Sequence, residues 1–330
     1  MTEVTMIGLD LAKNVFQVHG MRPDGSVAFR VKLARIKVLA FFAAQPICTV
    51  AMEACASAHY WGRELSGLGH DVKLIPPIYV KPFVKRQKND MADAEAIAEA
   101  ASRPTMRFVA VKSEEKQAAG MAFRTRDLFV RQKTQTINAL RGHLAEYGVV
   151  APKGPAHLGR LIRAVEEVDS GLPEPVVALA RMLFDQIAML QAKIDELEKE
   201  IRHQVRRDDV TARLMTIPGI GPISAAAMMA FAPPPESFAK GRDFAAWMGL
   251  TPRQHSSGGK ERLGRTSKMG QRDLRRLLIT GAMAVVRWAT RRGAPEGSWL
   301  WRMLQRKPRM LVAVALANRM ARIAWALMAK

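Results

Sequence analysis

Ile7-Gly8-Leu9-Asp10-Leu11-Ala12-Lys13 opens on a short apolar run of β-forming residues that ends on an acid, and Val50-Ala51-Met52-Glu53 repeats that design further along. Both stretches predict buried strands, the second over residues 47–52. Each carries a carboxylate where the buried run stops. Working outward, residues 14–19 and 26–33 alternate apolar and polar side chains on either side of a Pro23-Asp24-Gly25 turn, which predicts a β-meander. Helices are expected at 36–44 and at 58–68, the latter closed by Gly69. Residues 72–75 form a strand stopped by Pro76-Pro77. Residues 90–102 form an Ala- and Glu-rich helix stopped before Pro104, and 107–111 a last short strand. Strands first, then strands alternating with helices, define a mixed α/β domain over residues 1–112.

Beyond it, residues 114–147 predict one long helix ending at Gly148. Its basic residues include Arg124, Arg126, Arg131, Lys133 and Arg141. A Pro/Gly-rich connection follows at 151–155. Pro175 then starts a second long helix running to about residue 207, on which Leu183, Ile187, Leu190, Ile194, Leu197 and Ile201 form a heptad seam. Such a seam closes an intramolecular helical hairpin or brings chains together as a coiled coil, and a seam does not count chains. Residues 113–209 are therefore a helical, coiled-coil middle. Residues 210–330 are helical with Gly and Pro punctuation.

The net charge is +21 over 330 residues, and the last third concentrates it: residues 211–330 hold 21 basic and 5 acidic side chains. That excess calls for a polyanion, either nucleic acid or an anionic membrane surface. The longest apolar segment, 310–329, is interrupted by Asn318, Arg319 and Arg322, which favours an amphipathic packing helix over a membrane span. Cys48 and Cys55 are the only cysteines. Two are too few for a disulfide scaffold or a four-ligand zinc site, and they fit a reducing cytoplasm.

Asp10 and Glu53 end buried strands, while Asp90 and Asp93 stand three apart on one face near the start of a helix. Carboxylates at buried strand ends are costly unless solvated or paired with a cation. Phosphodiester cleavage needs Mg²⁺ held by several such groups. Asp90 and Asp93 taken alone also suit any helix N-terminus.

Towards the carboxy terminus, Ile217-Pro218-Gly219-Ile220-Gly221-Pro222 looks like the turn of a helix-hairpin-helix. Backbone N–H groups around Gly219 and Gly221 could hold a phosphate there; a plain packing turn is the alternative. Gly249-Leu250-Thr251-Pro252-Arg253 then leads into Gln254-His255-Ser256-Ser257-Gly258-Gly259-Lys260. Arg262, Arg265 and Lys268 follow, and Arg272, Arg275 and Arg276 continue as the basic face of a helix. Cations beside a serine support alkoxide formation and a phosphorane-like transition state. On composition alone a flexible polar loop is the plainer meaning of Ser-Ser-Gly-Gly. Trp288, Trp299 and Trp301 lie among further arginines, where stacking on unpaired bases competes with core packing, and core packing is the expectation for at least two of them.

The Asp10 and Glu53 segments, together with Lys85-Arg86-Gln87-Lys88-Asn89-Asp90-Met91-Ala92-Asp93-Ala94, resemble the DEDD-type transposases of bacterial insertion sequences. The Ile-Pro-Gly-Ile-Gly turn, the Gly-Leu-Thr-Pro-Arg run, the Ser-Gly loop and Thr266-Ser267-Lys268-Met269-Gly270 follow the order of that family's carboxy-terminal domain. One departure is Cys55, where Ser, Thr or Gly is expected. The resemblance implies a ribonuclease-H-like (Holliday-junction-resolvase-like) first domain, with Asp10, Glu53, Asp90 and Asp93 as a Mg²⁺-binding tetrad. It also implies a mostly helical carboxy-terminal domain over 210–330 in which Ser257, just before Gly258, is the nucleophile; Ser256 stays open beside it. Through its similarity to bridge-RNA-guided recombinases, it implies donor and target DNA and an element-encoded guide RNA as partners. A homo-oligomer, dimer or tetramer, is expected because one serine per chain cannot cut both strands of two DNA substrates at once, and the seam over residues 183–201 offers a way to bring chains together; activity is expected in the bacterial cytoplasm. The rivals are a Mg²⁺-dependent junction resolvase in which water attacks and a non-catalytic nucleic-acid-binding factor.

Overall fold

The computed structural model describes residues 4–85, 89–167, 171–205 and 208–330. The chain divides into two compact units, Met1–Glu115 and Lys116–Lys330.

The first unit is a five-stranded sheet of order β3-β2-β1-β4-β5 with helices on both faces. In chain order the elements are β1 (Met6–Asp10), β2 (Val15–Met21), β3 (Val27–Ala34), α1 (Val38–Ala43), β4 (Thr49–Glu53), α2 (Ala58–Gly67), β5 (Asp71–Ile75), α3 (Pro77–Val80) and α4 (Asp90–Ala101). The meander expected from the Pro-Asp-Gly turn is β1–β2–β3, paired antiparallel; the Asp24 carboxylate accepts from the Ser26 N–H at 2.9 Å to fix the reversal. On its other edge β1 pairs parallel with β4, and β4 with β5.

Strand alternation divides the core. Ile7, Leu9, Val50, Met52 and Leu74 point to one face and pack with Phe16, Phe42, Trp61 and Leu65. Ala51 and Ile75 point to the other, where Ala96, Ile97 and Ala100 of α4 cover them. Each large apolar side chain removed from water contributes about 1.5–3 kcal/mol.

The strand expected at 107–111 does not form. Only a single bridge joins Leu74 to Val109, because the chain is drawn off the edge of β5 onto α2. There His59 Nδ1 accepts from the Lys112 N–H at 3.2 Å, and Arg63 donates to the Lys112 carbonyl at 3.0 Å.

Among the described residues the regular structure of the second unit is helical apart from one hairpin. Its elements are α5 (Glu114–Ala145), which starts at the boundary, α6 (Leu158–Glu166), α7 (Glu174–Val205), α8 (Asp209–Met215), α9 (Pro222–Phe231), α10 (Gly241–Trp247), β6 (Pro252–Gln254), β7 (Leu263–Thr266), α11 (Arg272–Arg292), α12 (Trp299–Arg306) and α13 (Arg309–Met328).

α5 and α7 run antiparallel. Arg126 pairs with Glu198, Lys133 donates to Gln191, and Ile137, Leu140 and Leu144 pack with Ala180 and Ile187. The heptad seam is used here: Ile187, Leu190, Ile194 and Ile201 are buried within this one chain. Of the two readings left open by the sequence, the helical hairpin is the one formed. α6 was not legible beforehand; it rests on the hairpin through Leu161 and Val165.

The carboxy-terminal core joins Leu274, Leu278, Ala282 and Val286 of α11 to Val312, Ala317, Met320 and Ala324 of α13. Among the described residues α13 is the one helix long and apolar enough to cross a membrane. Its buried face is the core contact just given, as expected of an amphipathic packing helix.

Candidate active site

Gly8 positions the acidic end of the sheet. A Cβ on residue 8 would lie 2.2 Å from the Ala94 carbonyl and 2.9 Å from the Ala98 side chain, so only glycine lets α4 lie directly on β1. Gly8 and Asp10 share one face of β1, Ala51 and Glu53 one face of β4, and α4 covers that face. The parallel register sets Leu9 opposite Met52, so Asp10 and Glu53 end neighbouring strands together. The α4 N-terminus, capped by the Asn89 side chain on the Met91 N–H at 3.1 Å, brings in Asp93.

Burial raises the Glu53 carboxyl above its ordinary value, and the charge of Asp93 raises it further. The neighbouring Cys55 thiol is raised by burial, then by Glu53 and Asp10. Asp93 thus lies within reach of Glu53, and Asp10 and Glu53 both lie within reach of Cys55. The Asp90 side chain lies outside the described residues, as do Arg86, Gln87 and Lys88 of the quoted motif. Among the described residues, no three acidic, His or Cys side chains close on a single point.

Glu95 behaves differently from its neighbour Asp93. Arg30 at 2.9 Å and Lys85 at 2.5 Å neutralise it, and the Lys85 hydrogen bond lowers its carboxyl. Glu53 and Asp93 have no ion-pair partner among the described residues. Oxygen donors whose charge is not offset by protein cations fit a hard divalent ion such as Mg²⁺.

The serine segment is a hairpin rather than the expected loop. Ser257-Gly258-Gly259-Lys260 is a two-residue turn closing β6 onto β7, with Gly258 at φ +57° and Gly259 at φ +75° and the Lys260 N–H donating to the Ser257 carbonyl at 3.1 Å. Two consecutive left-handed residues define the turn that suits strand twist, and Gly-Gly supplies them without strain. The signal was in the sequence, but the flanking strands are too short and too polar to alternate.

The two serines differ. The Ser256 hydroxyl accepts from the Arg262 N–H at 3.2 Å, whereas the Ser257 hydroxyl takes no such bond among the described residues. Arg253, Lys260, Arg262, Arg265, Lys268 and Arg272 are all exposed around this hairpin or on the helix after it.

Other expected contacts are already committed to the fold. Arg275 is buried, and one guanidinium nitrogen donates to the Met248 carbonyl at 2.8 Å and the Met269 carbonyl at 3.1 Å, clamping the base of the hairpin. It is a structural arginine, not a free phosphate ligand. Arg276 pairs with Asp127 at 2.5 Å and stays half exposed. In the 217–222 turn, Gly219 has φ +91° and a Cβ on it would lie 2.9 Å from the Gly281 carbonyl of α11, while a Cβ on Gly281 would lie 1.9 Å from the Gly219 carbonyl. Both glycines are therefore needed for this close approach, while Gly221 is exposed at the α9 N-terminus. Trp288 is 55% exposed, and Trp299 and Trp301 are half-buried, so none of the three is a buried core residue, contrary to the expectation of core packing for at least two.

Acids at parallel strand ends in one unit and an exposed cationic hairpin in the other are features suited to a protein that acts on nucleic acid. Comparison with known families agrees and narrows the class. Residues 211–295 match the model described as "Transposase IS116/IS110/IS902 family", and residues 7–149 match a DEDD transposase model.

The chain is 50% identical over 329 residues, 99% of its length and 97% of the relative's, to a "Probable family 20 transposase" of Pseudomonas aeruginosa. It is 42% identical over 98% of its length to the transposase for insertion sequence element IS1328 of Yersinia enterocolitica, covering 97% of that protein. It is 37% identical over its whole length to the transposase for IS1111A of Coxiella burnetii, covering 91% of that protein. The chain belongs to the IS110/IS116 family of transposases, enzymes that cut and rejoin DNA.

Proposed function

We propose that this transposase breaks DNA by attack of the Ser257 hydroxyl on a phosphodiester, with Asp10, Glu53, Asp90 and Asp93 holding Mg²⁺. The observation that carries the reading is the pair Glu53 and Asp93 where β4 and α4 meet, neither with an ion-pair partner among the described residues, set against the fully paired Glu95 beside them. A sheet of order 3-2-1-4-5 with an antiparallel second strand supports a ribonuclease-H-like first domain. Asp10, Glu53, Asp90 and Asp93 would hold the ion there, and it would supply positive charge against the negative charge that develops on the phosphate.

Ser257 Oγ forms the bond to phosphorus as its proton is lost. The bond from phosphorus to one deoxyribose oxygen breaks, and that DNA end leaves as an alcohol. The other end stays as a phosphoserine ester. Attack by a hydroxyl of an exchanged DNA end reverses the step and restores the serine, so no external energy source enters. The exposed cations from Arg253 to Arg272 offset the phosphorane charge.

Residues 1–112, 113–209 and 210–330 then serve as metal domain, assembly region and serine domain. Donor and target DNA are the substrates, an element-encoded guide RNA is the partner that selects them, and the bacterial cytoplasm is the compartment. One serine per chain calls for a dimer or tetramer to cut four strands. Ile187, Leu190, Ile194 and Ile201 of the α7 seam are buried within the chain, so the contact between chains is assigned to another surface.

On end-labelled DNA, Asp10→Asn is expected to abolish cleavage and keep binding. Ser257→Ala loses cleavage and the protein-linked band, while Ser256→Ala retains both. Cleavage by the wild type without any protein-linked band would replace serine by water as the attacking group.

A further inference from the structure

α13 has two apolar faces. One is the core contact of Val312, Ala317, Met320 and Ala324. The other carries Leu311 and Ile323, 51% and 40% exposed, and Val314 between them. This second face forms the floor of an open groove of about 1700 Å³ whose other walls are the start of α10, strand β7 of the serine hairpin, and Trp299 of α12. Arg242, Arg265, Arg319 and Arg322 line the groove together with Lys240 and Lys330, and among the described residues no acidic side chain does. Among the described residues none of these four arginines has an ion-pair partner; Arg319 instead stands 5.3 Å over the Trp299 ring.

We infer that this groove takes the unpaired DNA strand next to the phosphate attacked by Ser257, with bases on the apolar floor and phosphates on the surrounding arginines; this rests on the serine reading above. The charge argument excludes an uncharged partner, because unpaired cations on several elements around one concavity call for a polyanion. The floor selects among polyanions. A duplex hides its base faces by stacking and presents phosphates, for which Leu311, Val314 and Ile323 offer nothing. An unpaired strand exposes base faces that gain from apolar and aromatic contact, and its backbone still needs cations. The location selects DNA: Gly264, Arg265 and Thr266 of β7 line the groove, so a strand lying in it runs along the same hairpin that carries Ser257 at its tip.

The test uses the full chain in EDTA, so that no chemistry intervenes, with fluorescein-labelled oligo(dT) and a blunt duplex as probes in anisotropy titrations. Leu311→Ser/Ile323→Ser alters only exposed positions. It is expected to weaken oligo(dT) binding about tenfold or more while leaving duplex binding within about twofold, as loss of a base platform requires. Arg322→Gln keeps the floor and is expected to lower the salt slope for oligo(dT) by about 0.7, one phosphate contact on a single strand.

Iododeoxyuridine in the oligonucleotide is expected to photocross-link to peptides within residues 299–328. Equal loss on both probes, or no loss on either, overturns the inference. So does a floor variant that keeps oligo(dT) binding but loses affinity for anionic vesicles, or one that changes only the mass of the protein in solution, since those outcomes give the groove to a lipid surface or a second copy. None of these readouts depends on an adduct, so the groove and the serine mechanism can fail separately.

Discussion

The acidic end of the sheet and the serine hairpin are built by opposite means. Asp10, Glu53 and Asp93 are half-buried, and their backbones are fixed by strand pairing and by a helix lying against Gly8. Ser257 is exposed on a tip set by two glycines and a two-stranded ladder. The difference matches the demands on each group. Carboxylates with the proposed metal-holding role would have to tolerate mutual repulsion, so packing has to hold them where solvation would separate them. A serine with the proposed nucleophilic role would have to reach a large substrate, and exposure costs it little.

Substitutions should therefore act differently in the two regions. The largest effect is expected for Gly8→Val, whose side chain would occupy the place of the Ala94 carbonyl. Overpacking of this kind costs about 1–3 kcal/mol and more where backbone must move, and chemical denaturation should show a loss at or above the top of that range. Ser257→Ala, in contrast, should change stability by no more than about 0.5 kcal/mol. If Gly8→Val left both stability and cleavage intact, packing would not be what positions the acids.

Arg275→Ala comes next. It leaves the Met248 and Met269 carbonyls without a charged donor, at about 2–3 kcal/mol. It should lower stability and hairpin order, read by amide exchange at Lys260 and His255, more than it lowers DNA affinity. Exposed Arg262→Ala should do the reverse. Should Arg275→Ala weaken binding with no loss of stability, the arginine contacts nucleic acid directly.

The smallest effect concerns Glu53→Gln in metal-free protein. A carboxyl raised in the folded chain binds protons more readily than in the unfolded chain, so its charged form opposes folding at neutral pH. Removing that charge should add a few tenths of a kcal/mol, because solvent screens a half-buried group. The same substitution should remove the increase in melting temperature that Mg²⁺ gives the wild type. A Mg²⁺-induced shift unchanged in Glu53→Gln would take this residue out of the metal site.

The sequence was legible where a pattern repeats over a whole element. A short apolar run marked β1, alternation marked β2 and β3, and the strand-end acids marked the end of the sheet that carries Asp10 and Glu53. The heptad seam marked α7 but not its partner, because an apolar stripe is the same whether a neighbouring helix of the chain or another chain covers it. The hairpin at 252–266 escaped because three- and four-residue strands made of Pro, Arg, Gln, Gly and Thr carry no period. Only Gly258-Gly259 marked it. Arg275 shared the basic face of its helix with Arg272 and Arg276, and nothing in that spacing separates a clamp from a phosphate ligand. The groove on α13 was visible only as an apolar run interrupted by Arg319 and Arg322, since its other walls come from distant parts of the chain.

The most direct test of the account is to trap wild-type protein with a DNA substrate, digest both, and sequence the nucleotide-bearing peptide by mass spectrometry. The nucleotide should be esterified to Ser257, and the linked peptide should be absent from Ser257→Ala. A nucleotide on Ser256 or on any other residue, or efficient strand cleavage with no linked peptide, would contradict the assignment of Ser257 as the nucleophile.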